Sequence, residues 1–129
     1  MTTLQDIPGF PAPNTVQYKR LYQHVLSAAF LILRINFNLS NTSYNDDKAL
    51  SSYYGIEKTA AVALFFLLTS LPSCLDMLPM HMFWALAYLK QYPSEQNLAI
   101  MLDTNTKTLK SWIYKVIDAM DKISDDLVS

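Results

Sequence analysis

A chain of 129 residues, 51% of them hydrophobic, is long enough for one compact domain and hardly long enough for two. Two glycines leave few positions for tight hairpins or phosphate-cradling loops, so the composition favours an all-α fold. The formal charge of −1 excludes a surface that is basic all over, and any contact with nucleic acid must therefore be a local patch.

The start of the chain and its cysteine content bear on location. Cys74 is the only cysteine, which excludes an intrachain disulfide and favours a reducing compartment such as the nucleus or the cytoplasm. Residues 1–15 carry three prolines and lack the basic and apolar regions of a secretory signal. We therefore expect a protein that is not secreted and a disordered N-terminal arm over residues 1–15.

The first predicted helix runs from Val16 to Phe37, because apolar residues recur there at spacings of three and four. The segment from Asn36 to Asp47 is polar and rich in turn formers, which is typical of a linker or a loop. Residues 16–45 are thus expected to form an N-terminal helix with a polar linker. The linker is a candidate domain boundary, and residues 46–129 are expected to form the main helical domain.

A second helix is expected between Asp46 and Gly55, and a third between Glu57 and Leu71. The third is apolar on nearly every face, which implies either burial on all sides or an apolar surface for a partner. Its apolar run is shorter than the roughly 20 residues needed to cross a bilayer, so we predict no membrane partner.

Helices of unequal length follow one another in the last third of the chain. A helix from Met80 to Tyr92 is expected to end before a proline, and Ser94 is placed to cap a second, shorter helix. Polar residues 103–105 interrupt the shorter helix. Asn105 or Thr106 can then cap a longer helix whose apolar repeat continues through residue 123.

The joint between the last two helices has the spacing of a helix-turn-helix, at about residues 94–123. Ala99 is the small residue needed where the two helices cross, and Leu109 and Trp112 lie at the offsets that bury a shared core. Asp103 stands in the turn where glycine is commonest, and aspartate tolerates the left-handed conformation better than most residues. The spacing predicts a C-terminal trihelical unit with Trp112 in its core.

The leading turns of the second helix carry the candidate DNA contacts. Their polar side chains fall on the face opposite Leu109 and Trp112, from which they can reach phosphates and base edges. We expect Lys107 on a phosphate, at the helix entrance, and Lys110 nearer the bases. The alternative is an ordinary solvated face, because aspartates make the end of this helix acidic. The predicted DNA-binding residues are Thr106, Lys107, Thr108, Lys110 and Ser111.

Two strings carry the resemblance to a known family: MHMFWALAYLKQYPSE at residues 80–95 and DTNTKTLKSWI at residues 103–113. They resemble the N-terminal helix-turn-helix region of eukaryotic Harbinger-type transposases, of the DDE superfamily, and of transposase-derived proteins. Tyr54-Gly55-Ile56 is similar to the phenylalanine-glycine-valine of that family, so the resemblance spans roughly residues 51–123. The matching residues of the two strings are Trp84, Ala85, Leu86, Leu89, Lys90, Tyr92, Lys107, Thr108 and Trp112.

The resemblance implies DNA binding by a unit that precedes a metal-dependent nuclease domain in such transposases. The four aspartates from Asp118 to Asp126 share one terminal helix, with no strand to present them, and are expected to be a solvated face. His24 and His81 have no further metal ligands at suitable spacing and are expected to be core or surface histidines. We therefore expect no catalytic residue, no metal and no cofactor.

The sequence predicts a truncated or stand-alone N-terminal part of a Harbinger-like transposase, which binds double-stranded DNA in the nucleus and lacks the nuclease domain. The alternative is a helical protein-interaction or dimerisation module without DNA binding. In that case the apolar helix at residues 57–71 would hold a second copy of the chain or a nuclease partner.

Overall fold

The computed structural model describes residues 9–33, 44–91, 99–100 and 104–128. These residues are mainly helical and include no strand, which confirms the prediction of an all-α fold. None of the helices among them is both long and apolar enough to cross a membrane. The helices are α1 (Val16–Ile32), α2 (Tyr44–Tyr54), α3 (Lys58–Thr69), α4 (Pro79–Gln91) and α5 (Thr106–Val128), with a 3-10 turn at Pro72–Cys74.

The ends of α1 and α2 follow from local hydrogen bonds. The hydroxyl of Thr15 accepts a hydrogen bond from the Tyr18 amide at 3.2 Å, which caps α1 at its predicted start. Gly55, at φ +71°, donates its amide to the Ser51 carbonyl at 2.8 Å and closes α2 where the sequence predicts. α1 ends at Ile32, short of the predicted end, and α2 begins at Tyr44, so the last four residues of the predicted linker are helical and the others lie outside the described residues.

The apolar helix α3 is largely buried. Ala61, Val62, Ala63, Phe65 and Leu68 are buried, and none of its large apolar side chains belongs to the exposed class. α1, α5 and the 3-10 turn pack against it. Its neighbours in this chain thus cover much of this apolar helix, and Leu64, Phe66 and Leu67 stay partly exposed.

The hydrophobic core is centred on α4. Its residues Met82–Ala87 are all buried, and α1, α2 and α5 pack around it. Tyr54 ties α2 to α1, because its hydroxyl donates a buried hydrogen bond of 2.8 Å to the carbonyl of Ala29. The Tyr54 ring also lies 4.7 Å from that of Phe83 on α4. α1 therefore shares one core with the other helices, and the candidate boundary after it does not separate two cores.

Residues 9–15 differ from the expected disordered arm. The ring of Phe10 packs edge-on against Phe66 of α3, with 5.2 Å between centroids, and lies 6.0 Å from the ring of Tyr18. The hydroxyl of Thr15 donates to the Ala12 carbonyl at 2.7 Å. An aromatic side chain thus anchors this segment to the helices, whereas residues 1–8 of the predicted arm lie outside the described residues.

Replacing Tyr54 by phenylalanine tests the link between α1 and α2. The substitution keeps the buried ring and removes one buried hydrogen bond, so we expect the free energy of unfolding to fall by about 1 kcal/mol and Tm by roughly 3 to 5 °C. Tyr88→Phe, on a half-buried tyrosine of α4, is the matched control and should change Tm little. Equal changes in the two variants would contradict the assigned role of the Tyr54 hydroxyl.

Candidate nucleic-acid interface

α5 begins with a side-chain cap. The Asn105 side-chain oxygen accepts a hydrogen bond from the Thr108 amide at 2.7 Å, and the Asn105 carbonyl accepts one from the Leu109 amide at 3.1 Å. Of the two predicted caps, Asn105 is therefore the one used. α5 continues to Val128, beyond the predicted end at Ile123.

The segment before α5 is described in part. Ala99 is buried, as expected of the small residue at a helix crossing, and its carbonyl accepts a hydrogen bond from the Thr104 amide at 3.0 Å. Ala99 and Ile100 are helical. Ser94, Asp103 and the rest of the predicted short helix lie outside the described residues, so the helix-turn-helix as a whole stays a prediction.

One face of α5 is fixed by burial. Leu109, Ile113, Val116 and Ala119 are almost fully buried and recur at three- and four-residue spacing. α4, α3 and the 3-10 turn pack against this helix. Because this face is held in the core, the opposite face of α5 must point outward.

All five predicted DNA-binding residues lie on the outward part of the first two turns. The structure brings these side chains together at one end of a long helix, where each is exposed. Tyr114, one turn further on, is 47% exposed and was not among the predicted site residues. The five residues are Thr106, Lys107, Thr108, Lys110 and Ser111.

Charge changes sign along the outward face. Lys107 and Lys110 occupy the leading turns, whereas Asp118 and Asp121 are exposed on the later ones. Lys122 lies 3.8 Å from the Asp118 carboxylate, an exposed pair that offsets only part of the negative charge. The leading end is thus the part of this face that suits an anionic ligand.

An aromatic stack holds α5 against α4. The His81 ring lies parallel to the Trp112 ring, with 3.9 Å between centroids and 5° between planes, and meets Trp84 edge-on at 5.0 Å. The ammonium of Lys115 lies 4.6 Å from the centroid of Trp112. Trp112 was predicted to lie in the core of the trihelical unit. It is instead half-buried and covers the edge of the core.

His81 is 7% exposed and bonded on one nitrogen. Its Nδ1 accepts a hydrogen bond from the Leu78 amide at 3.0 Å, which requires that nitrogen to be unprotonated. Burial lowers the pKa of His81, Lys115 lowers it further, and Asp76 opposes both effects. His81 is thus a neutral core histidine that contacts both Trp84 and Trp112. No feature of the local sequence predicts these contacts.

The histidine, cysteine and acidic side chains of the described residues bear on other kinds of site. Within the described ranges, no group of three His, Cys, Asp or Glu side chains is placed to hold a metal ion. The thiol of Cys74 is buried, and His24 is exposed with its ring 5.9 Å from that of Phe65. The outward face of α5 is therefore the candidate site with the clearest chemical character.

No protein-family model, curated protein or solved structure matches the chain. The resemblance to the transposase region therefore rests on the residues quoted for it, such as those around Trp84 and Trp112. The structural features that bear on function are the outward face of α5 and the charges it carries.

The protonation of His81 predicts a pH dependence of stability. The pKa of His81 is lower in the folded protein than in the unfolded chain. As the pH falls, the unfolded chain therefore binds a proton first, and the free energy of unfolding decreases below about pH 6.5. Urea unfolding at pH 7.5 and 5.5 should therefore show a smaller loss of stability for His81→Gln than for the parent protein. His24→Gln, on an exposed histidine of α1, is the control for replacing an imidazole by an amide. The same loss in all three proteins would contradict the assignment.

Proposed function

We propose that the leading turns of α5 bind double-stranded DNA in the major groove, as the recognition helix of a helix-turn-helix. The observation that carries the proposal is the exposure of all five predicted contact residues on the first two turns. Leu109 and Ile113, on the opposite face, hold these side chains outward by their burial in the core. The proposal needs no rearrangement of α5.

The charge distribution along α5 favours entry of its N-terminal end into the major groove. The amides of the first turn carry the positive end of a 23-residue helix, and Lys107 and Lys110 add two positive charges there. Asp118 and Asp121 repel phosphates from the later turns. A chain of net charge −1 can bind DNA by this end because the phosphate contacts need only a local basic patch.

Packing supports the same assignment through preorganisation. The stack of His81 on Trp112 and the buried residues of α5 restrict rotation of this helix relative to α4. A helix held in one orientation presents its polar side chains with little loss of conformational entropy on binding. The outward face of the first turns of α5 is thus in place before DNA arrives.

The resemblance to Harbinger-type transposases supports the proposal from the sequence side. Lys107, Thr108 and Trp112 match the family's recognition helix, and Trp84 matches its upstream helix. We propose that this chain corresponds to the N-terminal DNA-binding part of such a transposase, acts in the nucleus, and contributes binding rather than strand cleavage.

The alternative interaction module is less well supported. Its predicted surface was the apolar helix α3, but the exposed large apolar side chains among the described residues lie on other elements. Leu75 and Leu78, for example, are exposed in the connection between the 3-10 turn and α4. Self-association through α3 would therefore be limited to its partly exposed side chains, such as Leu64, Phe66 and Leu67.

The double variant Lys107→Ala, Lys110→Ala tests DNA binding by α5. Because Lys107 is expected on a phosphate and Lys110 nearer the bases, the slope of log affinity against log salt should decrease by about one or more, and affinity at moderate salt should fall about tenfold or more. Fluorescence anisotropy with a labelled random-sequence duplex over a series of salt concentrations measures both quantities.

The control carries the same change of net charge elsewhere. Lys19 on α1 and Lys48 on α2 are exposed, so Lys19→Ala, Lys48→Ala also removes two positive charges. It should lower affinity much less and leave the salt slope near that of the parent. Circular dichroism establishes that both variants are folded. Parent-like binding by the folded α5 variant would overturn the proposed function.

A further inference from the structure

One large exposed side chain on α5 is not explained by the predicted contacts. Tyr114 is 47% exposed and lies between Lys110, one turn before it, and Asp118, one turn after it. It follows Lys107 by seven positions, Lys110 by four and Ser111 by three. Side chains at spacings of three, four and seven share one stripe of an α-helix, so these four residues form a single row.

This row has the spacing of a base-reading stripe. Homeodomain recognition helices reach bases with side chains at relative positions 0, 3, 4 and 7, the pattern formed here by Lys107, Lys110, Ser111 and Tyr114. Seven residues of helix rise about 10.5 Å, or roughly three base pairs. A major groove about 12 Å wide admits an α-helix, which is about 10 to 12 Å across, so the row can follow the base edges over this length.

We infer that Tyr114, at the far end of this row, is a further base-reading side chain of α5 and that its ring contacts the 5-methyl group of a thymine. This inference rests on the proposed function, because it requires α5 to lie in the major groove. The sequence-based set of contacts stopped at Ser111, and the exposure of Tyr114 extends it by one turn.

The acidic residues near Tyr114 favour contact of its ring with a thymine methyl group over contact with a phosphate. Asp118 lies four positions later on the same face and Asp121 seven positions later, and both are exposed. Their carboxylates disfavour a phosphate beside the ring. A thymine methyl group is the apolar feature of the major groove, and an uncharged aromatic ring can cover it at the boundary between the lysines and the aspartates.

The test compares thymine with uracil, which differ only by this methyl group. A duplex is first selected from a random pool by binding to the parent protein, and each thymine is then replaced by uracil in turn. At one position the parent should lose about three- to fivefold in affinity, the value expected for one buried methyl group. Tyr114→Ala should bind the two duplexes equally and keep the parent's salt slope, whereas Tyr114→Phe should retain the discrimination.

A second measurement uses the unaltered protein. Selected duplexes carrying 5-iodouracil at that position should photo-crosslink to the peptide that contains Tyr114. Failure of the parent to bind any duplex would overturn the proposed function and this inference together. If the parent binds and Lys107→Ala, Lys110→Ala is defective, two results overturn the inference alone: unchanged discrimination in folded Tyr114→Ala, or a crosslink to another segment.

Discussion

Burial of α4 on nearly all its faces is the constraint from which the arrangement of the other helices follows. From Met82 to Ala87 every residue is buried, whereas an amphipathic helix would leave one face to water. α1, α2 and α5 must therefore surround it, and their own apolar stripes provide the cover. The hydrogen bond from Tyr54 to the Ala29 carbonyl fixes two of these covering helices to each other within the same core.

The same constraint orients α5. Its buried stripe, from Leu109 to Ala119, faces the core, and the stack of Trp112 on His81 seals the edge of the contact with α4. Everything polar in the first turns of α5 then lies on the outward face. The proposed function depends on this outward face of α5. The reversal of charge between Lys110 and Asp118 limits the part of the face that can bind DNA.

Periodicity and capping were sufficient to predict the five described helices, apart from the ends of α1 and α5 and the start of α2, and the exposure of the candidate residues, because both depend on local sequence. Gly55 closes α2 as predicted, and the hydrogen bond made by Asn105 decides between two adjacent caps. Contacts between distant segments could not be predicted. Nothing near His81 indicates that it stacks on Trp112, and nothing near Phe10 indicates that it anchors the N-terminal segment to α3.

Whether the leading face of α5 contacts DNA is tested most directly by amide chemical-shift mapping. The ¹⁵N-labelled protein would be titrated with a short duplex at low salt and then returned to high salt. The account predicts shift changes concentrated between Thr104 and Lys115 that reverse as salt rises. Binding that perturbs Leu75 to Met80 or the later turns beyond Asp118, with α5 unperturbed at its start, would contradict it.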